Sequence, residues 1–267
     1  MIWMIDLHTH ILPNIDDGVD DVDEALLVGR EAERQGVTKL VATPHYLEEG
    51  YHLTPEETRE RVGKLQEVFN SQGIDVEVLT GAEVFLMSNL GRLLKKGLVS
   101  TINGSRYLLV ELPMDKLPNY VNEVFYDLKV MGYIPIISHP ERYSYIRKNP
   151  NILYKWIEDG IYAQLNAGSL LGLFGTRVLK TAKTLVNYNL VQFIASDLHS
   201  NQRRGENLEK GFNKLRRLIG PAAEQYLQNS EAVIDDKDIE IMRPKEYNNS
   251  NRSLSKFFTD SLGRIFG

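Results

Sequence analysis

Short apolar runs rich in Ile, Val and Leu recur along the chain, and stretches with helical spacing separate most of them. The runs that predict strands are Ile2 to His8, Thr38 to Thr43, Val76 to Glu83, Tyr107 to Leu112, Ile134 to Ser138, Tyr162 to Asn166 and Val191 to Ser196. Asp20 to Gln35 predicts a helix, with acidic residues in its first turn and Gly36 after its last, and Pro55 stands at the start of another that runs to about Ser71. Asn119 to Met131, Pro150 to Glu158, Gly175 to Asn187 and Glu206 to Leu218 supply the later crossovers. Strands that alternate with helices predict an α/β fold with a parallel sheet, and seven of them predict a closed, TIM-barrel-like arrangement. From about Glu246 the composition shifts to Asn, Ser and scattered aromatics, so the expected organisation is a barrel domain over 1–245 and a tail over 246–267.

Length and composition narrow this picture. A chain of 267 residues, 42% hydrophobic and 25% charged, fits one large soluble domain. No apolar run reaches membrane-spanning length, and the N-terminus lacks a signal-peptide pattern, so the expected location is the cytoplasm. The sequence has no cysteine, which removes disulfides, thiolate metal sites and cysteine nucleophiles together. A net charge of −5 argues against a general nucleic-acid binder, though it leaves room for a local basic pocket.

In a parallel barrel the reactive groups gather at the carboxyl ends of the strands, so the residue after each apolar run carries the most information. Those positions hold His8 and His10, then His45 in Thr-Pro-His, Glu83 in Gly-Ala-Glu, Glu111 in Val-Glu-Leu-Pro, His139 in Ser-His-Pro-Glu-Arg, and Asp197 and His199 in Ser-Asp-Leu-His. Of the six histidines only His52 lies elsewhere. Any one of these residues alone reads as a hydrogen-bonded loop residue or a helix cap. Their convergence predicts a metal centre, because neutral imidazole and carboxylate are the ligands of first-row divalent ions. A single ion takes about four to six ligands, so the set predicts two or three ions bridged by a carboxylate and by water. Such a cluster holds a hydroxide nucleophile at neutral pH, which makes hydrolysis the expected chemistry. Arg142, three residues after His139, and Arg204, in the loop after His199, add paired donors suited to phosphate oxygens. Arg203 is the expected solvated neighbour of Arg204, and Tyr46, Tyr51 and His52 form either a lip for an aromatic substrate or ordinary loop packing.

His8-x-His10, Asp16-Asp17-Gly18, Thr43-Pro44-His45, Gly81-Ala82-Glu83, Glu111, His139-Pro140-Glu141-Arg142 and Ser196-Asp197-Leu198-His199 together resemble the motifs of the polymerase and histidinol phosphatase (PHP) superfamily. More closely they resemble its bacterial tyrosine-phosphatase branch of CpsB, CapC and YwqE type, from about Met4 to Arg204. The resemblance implies a distorted seven-stranded β/α barrel with three manganese ions, although the ligand types also suit iron, zinc and cobalt. It implies a first ion on His8, His10, Glu83 and Asp197, a second on Glu83, Glu111 and His139, and a third on Asp17, His45 and His199. Motif alignment selects Asp17 over its neighbour Asp16, whose other reading is a turn residue before Gly18. Arg142 and Arg204 are implied as phosphate binders.

The expected function is therefore cysteine-independent hydrolysis of phosphotyrosine by a metal-bridging hydroxide. The resemblance adds a protein substrate, a bacterial tyrosine kinase with a tyrosine-rich tail that controls capsule or exopolysaccharide synthesis. Two alternatives stand beside it: a small-molecule phosphatase of histidinol-phosphate type, and a noncatalytic module that keeps metals for structure. In the tail, Leu254, Phe257, Phe258, Leu262, Ile265 and Phe266 share one helical stripe, with Arg252, Lys256 and Arg264 among the other positions. That stripe either docks on the barrel or touches the inner membrane leaflet or a membrane-bound partner.

Overall fold

The computed structural model describes residues 3–47, 50–200 and 207–248. Arg203, Arg204 and the apolar stripe of the tail lie outside the described residues. Among the described residues nine strands are present: β1 (Met4–Thr9), β2 (Val37–Ala42), β3 (His45–Tyr46), β4 (Glu77–Thr80), β5 (Glu83–Phe85), β6 (Tyr107–Glu111), β7 (Ile134–Ser138), β8 (Tyr162–Asn166) and β9 (Phe193–Ala195). All the pairings are parallel, in a three-stranded sheet of order β1-β2-β4 and a six-stranded sheet of order β3-β5-β6-β7-β8-β9.

The seven continuous strands expected from periodicity thus become nine. The run that ends at Thr43 stops at Ala42 and resumes as β3 after Thr43-Pro44, and the run from Val76 to Glu83 breaks at Gly81-Ala82 into β4 and β5. Proline has no N–H to give a ladder, and here Pro44 contributes only its carbonyl, which accepts from the Glu83 N–H at 3.1 Å. Gly81 lies where a Cβ would sit 2.8 Å from Val41 Cγ1 and 3.0 Å from Thr43 Cγ2, so the break needs a residue without a side chain. At the far side the sheets touch again: Thr9 bridges Leu198, the His10 N–H donates to the Leu198 carbonyl at 2.8 Å, and the Asp197 N–H donates to the His8 carbonyl at 3.0 Å.

The helices are α1 (Val22–Arg34), α2 (Pro55–Ser71), α3 (Leu90–Lys95), α4 (Val121–Val130), α5 (Ser144–Lys148), α6 (Asn151–Glu158), α7 (Ala167–Leu171), α8 (Thr176–Asn187), α9 (Leu208–Ile219) and α10 (Glu224–Ile234). Their ends follow local chemistry: Asp21 caps α1 by accepting from the Glu24 N–H, and Thr54 with Glu57 forms a capping box before Pro55. All six residues of β1 are buried, as expected for a parallel strand covered on both faces. The larger apolar core packs helices on strands. A smaller one gathers Ile5, Leu7, Val41, Leu79, Tyr107, Leu109, Ile136 and Phe193 from both sheets, with Val233 and Ile234 of α10 against it. Among the described residues no helix is long and apolar enough to cross a membrane.

Candidate metal centre

The side chains at the strand ends meet in one cluster. Between the pairs Asp6↔Leu40 and Thr9↔Ala42, β1 carries one residue more than β2, an irregularity just before the site of the kind that re-aims side chains. His8 and His10 then face one another, Nε2 to Nε2 at 3.2 Å. Glu83 Oε2 lies 3.3 Å from His8 Nε2, 3.4 Å from His10 Nε2 and 3.2 Å from His45 Nδ1, while its Oε1 lies 3.0 Å from His139 Nε2. Asp197 Oδ1 is 3.5 Å from His8 Nε2 and 3.3 Å from His199 Nδ1. Asp17 Oδ1 sits 3.3 Å from both His45 Nε2 and His199 Nε2. Glu111 approaches His139 Nε2 at 3.6 Å and His45 Nδ1 at 3.9 Å. All nine expected ligands are therefore together, and His52 stays apart, its ring packed edge-on to Tyr46.

Three subsets bring their ligand atoms within 4.8 Å of one another: His8, His10 and Asp197; His10, Asp17, His45 and His199; and His45, Glu83 and Glu111. The division differs in detail from the one the motifs imply. His10 faces two subsets, His45 faces two, and His139 joins the last through Glu83 and Glu111.

The chemistry of the donors fits divalent ions better than it fits protons alone. His8 Nδ1 donates to Gln164 Oε1 at 2.8 Å, Gln164 Nε2 donates to Asn166 Oδ1 at 2.9 Å, and Asn166 Nδ2 donates to Asp197 Oδ2 at 2.5 Å. This relay fixes the amide orientations and leaves the His8 Nε2 lone pair pointing into the cluster. His10 Nδ1 likewise donates to Asp16 Oδ2 at 2.7 Å, and His199 Nδ1 to the Asp197 carbonyl at 3.0 Å. Imidazole lone pairs of His8, His10 and His199 thus converge with the carboxylates of Asp17, Glu83, Glu111 and Asp197, a nitrogen and oxygen set of the kind that divalent cations take.

Asp16 and Asp17 separate cleanly. Asp17 turns its carboxylate to His45 and His199, whereas Asp16 accepts from His10, from the His45 N–H at 2.9 Å and from the Gly18 N–H at 3.0 Å. A Cβ at Gly18 would lie 2.1 Å from the His10 carbonyl, so this turn closes on the site only with glycine.

Sequence reading gave no role to Gln164, Asn166 or Asp6. Gln164 and Asn166 belong to the one predicted strand whose end offered no metal ligand, and an amide at that end was the available signal. Asp6 accepts from the Ser196 N–H at 3.0 Å and the His8 N–H at 3.2 Å, tying β1 to β9 beneath the cluster. Glu141 turns away from the cluster and accepts from Ser169 Oγ at 2.6 Å and the Asn166 N–H at 3.1 Å, and burial raises its carboxyl to about 7. His139 and Asp197 adopt left-handed backbone, with φ of 34° and 53°, and such strained non-glycine positions concentrate at functional sites.

Arg142 stands on the rim. Its Nη1 donates to Asp197 Oδ2 at 3.2 Å, its guanidinium lies over the Phe174 ring at 5.1 Å, and the side chain keeps 25% exposure. Tyr46 is buried in the core, so it does not serve as a lip, while Tyr51 is exposed.

Without ions the cluster holds protons. Burial works against charge on His10, but Asp16 and Glu83 override it and raise the group to about 9. Burial likewise opposes charge on His45, where Asp17, Glu83 and Glu111 raise it to about 11. The Glu83 carboxyl, penalised by burial, is held well below its usual range by His8, His10, His139 and His45. Glu111 rises to about 7 through burial and the charge of Glu83. Asp16→Ala frees the His10 Nδ1 proton to move, and the expected loss of metal affinity, read by isothermal titration, is about 10–100-fold; an unchanged affinity would contradict the orienting role.

These features define an α/β protein of parallel strands whose ends bring histidines and carboxylates together in a candidate metal site. The chain belongs to the CpsB/CapC capsular polysaccharide synthesis family, which matches residues 4–235. The tyrosine-protein phosphatase YwqE of Bacillus subtilis is 35% identical over 256 residues, covering 96% of this chain and all of the relative. The tyrosine-protein phosphatase CpsB of Streptococcus pneumoniae is 29% identical over 242 residues, covering 88% and 99%. A structure from a crystallographic study of YwqE and CpsB, described there as metal-dependent tyrosine phosphatases, superposes with a TM-score of 0.89 at 34% identity, covering 92% of this chain and 100% of the other.

Proposed function

We propose that this chain is a metal-dependent protein-tyrosine phosphatase. The observation that carries the reading is the meeting of His8, His10, Glu83 and Asp197 beside Arg142, in a chain whose full-length relatives are named tyrosine phosphatases. His8, His10, Glu83 and Asp197 would hold one ion, Glu83, Glu111 and His139 a second, and Asp17, His45 and His199 a third, with manganese the preferred metal. Bound ions would supply Lewis acidity and a water acid enough to serve as nucleophile at neutral pH.

The chain's own groups do the rest. Gln164, Asp16 and the Asp197 carbonyl hold protons on the outer nitrogens of His8, His10 and His199, keeping the inner nitrogens available. Arg142 offers donors to the phosphoryl oxygens while Asp197 and Phe174 limit where its guanidinium points. Displacement at phosphorus expels the tyrosyl phenolate, a tolerable leaving group with a conjugate-acid pKa of about 10. The sequence contains no cysteine, which agrees with a direct displacement by water. Arg204, outside the described residues, is proposed as the second phosphate-binding arginine from its place in the motif.

The two sheets are read as one distorted seven-stranded barrel, with β2–β3 and β4–β5 each a broken strand and the Thr9–Leu198 bridge closing the ring. Residues 1–245 are its domain and 246–267 a tail. The family description points to capsule or exopolysaccharide synthesis, and a bacterial tyrosine kinase that regulates it is the proposed substrate. Such an ATP-using kinase places the reaction in the cytoplasm.

The test compares phosphate release from a phosphotyrosine peptide and from histidinol phosphate, before and after chelation and on return of Mn²⁺. Peptide turnover that vanishes with chelation and returns with metal is expected. Turnover that survives complete chelation, or that favours histidinol phosphate, overturns the reading.

Metal uptake should also depend on pH with a definite sign. At neutral pH the metal-free protein carries protons on His10 and His45, raised to about 9 and about 11, and an incoming ion must displace them. Apparent affinity is therefore weakest at low pH and strengthens as pH rises from about 6 towards 9. Calorimetry in buffers of differing ionisation enthalpy reads the released protons; binding without proton release would contradict it.

A further inference from the structure

A second cluster of charge lies beside the metal centre. Arg147 and Lys148 of α5, Arg177 and Lys180 of α8, and Tyr247 line an open cleft of about 480 Å³. Among the described residues no carboxylate lines it and none of the four cations forms an ion pair, although acidic residues outnumber basic ones 36 to 31 over the whole chain. The aromatic wall is fixed. Tyr247 exchanges two hydrogen bonds with Asn151, its N–H donating to Oδ1 at 2.7 Å and its carbonyl accepting from Nδ2 at 3.1 Å, and its ring packs on Tyr188 at 5.2 Å.

The cleft is joined to the phosphate rim by one contact, because Arg147 Nη1 donates to the backbone carbonyl of Arg142, whose own guanidinium meets Asp197. Because Arg147 lines the cleft and touches Arg142, a peptide that places a phosphotyrosine against Arg142 and runs along α5 reaches the cleft with residues close to the phosphotyrosine in sequence.

We propose that this cleft docks an acidic stretch of the peptide substrate, carboxylates or a further phosphoryl group a few residues from the phosphotyrosine that is hydrolysed. The inference rests on the phosphatase reading above. Charge complementarity carries it: four cations that form no ion pair among the described residues attract an anionic chain, and the cleft's size suits a few residues rather than a long polyanion. The sequence after Tyr247 carries Arg252, Lys256 and Arg264 against Asp260, so its charge does not complement the cleft.

The experiment uses the full-length metal-loaded protein and three phosphotyrosine peptides of equal length. One has neutral flanks, one carries glutamates at the third to fifth positions from the phosphotyrosine on each side, and one carries a second phosphotyrosine there. The acidic and doubly phosphorylated peptides should show KM values about five- to tenfold below the neutral peptide at low salt, with the gap narrowing at higher salt. In Arg177→Glu/Lys180→Glu that ratio should fall towards one; damage to folding alone would lower turnover of all three alike and leave the ratio intact. Equal KM values in the parent protein, or a preference that survives the double charge reversal, overturn the proposal. Fluorescence anisotropy of a glutamate-rich peptide that lacks phosphotyrosine gives a readout free of catalysis. If no peptide is hydrolysed the phosphatase reading fails, and the cleft is still decided by whether the double reversal weakens this binding at least about fivefold. Displacement by inorganic phosphate at matched charge, or tighter binding of an RNA oligomer, overturns a peptide site in favour of those ligands.

Discussion

Glu83→Gln is expected to lower turnover of a phosphotyrosine peptide by on the order of a thousandfold, the equivalent of about 4 kcal/mol in the barrier. Among the described residues Glu83 is the one carboxylate that touches four imidazoles, His8, His10, His45 and His139, and it is buried. Glutamine keeps the shape but not the charge, so the variant should fold while losing a shared ligand. It should also shift protons. Glu83 helps raise His10 to about 9 and His45 to about 11, against the cost of burial, and without its charge both fall. The same charge raises Glu111, after burial, to about 7, so Glu111 falls too. Steady-state assays with metal analysis on the same preparation read both effects. Full activity in a variant that binds fewer ions would break the link between this carboxylate and the chemistry.

Arg142→Ala is expected to reduce kcat/KM by about 10²–10³-fold, the range for loss of one charge-stabilising donor. Its Nη1 is 3.2 Å from Asp197 Oδ2 and the side chain keeps one edge open, so substrate phosphate and Asp197 share the guanidinium. Arg142→Lys should recover only part of the loss, because a single ammonium cannot give paired donors to two oxygens. Metal content should hardly change in either variant, since the Asn166 amide still donates to Asp197 at 2.5 Å. An Arg142→Ala protein with normal kcat/KM but lost metal would make this side chain a support for the site rather than a contact for phosphate.

Much of the site was legible because parallel strands share a direction. The residue that ends each apolar run is delivered to the same edge, so His8, His45, Glu83, Glu111, His139 and Asp197 could be gathered from sequence without knowing any distance. The helix over Pro55–Ser71 was legible for a local reason, Pro55 near its start, and the structure adds the capping box of Thr54 with Glu57. Helices α3, α5 and α7, at five or six residues, are too short to show a period, and they were not predicted. The breaks at Thr43-Pro44 and Gly81-Ala82 keep the apolar pattern while changing the hydrogen-bond partner, so periodicity passed over them.

What the sequence by itself determined is the parallel α/β plan and the identity of the groups at the strand ends, because both depend on local pattern and strand direction. Only the tertiary structure decided how those groups divide. It turned Asp17 to His45 and His199 and set Asp16 behind His10, although the two are neighbours of the same type. It linked His8 to Asp197 through Gln164 and Asn166, amides that no ligand pattern would select. It also brought Arg147 and Lys148 to Arg177 and Lys180 across about thirty residues of chain in one cleft. Surface cations carry no periodic signal of their partners, and a hydrogen bond or a charged cleft exists only once folding has fixed the distance between groups remote in sequence.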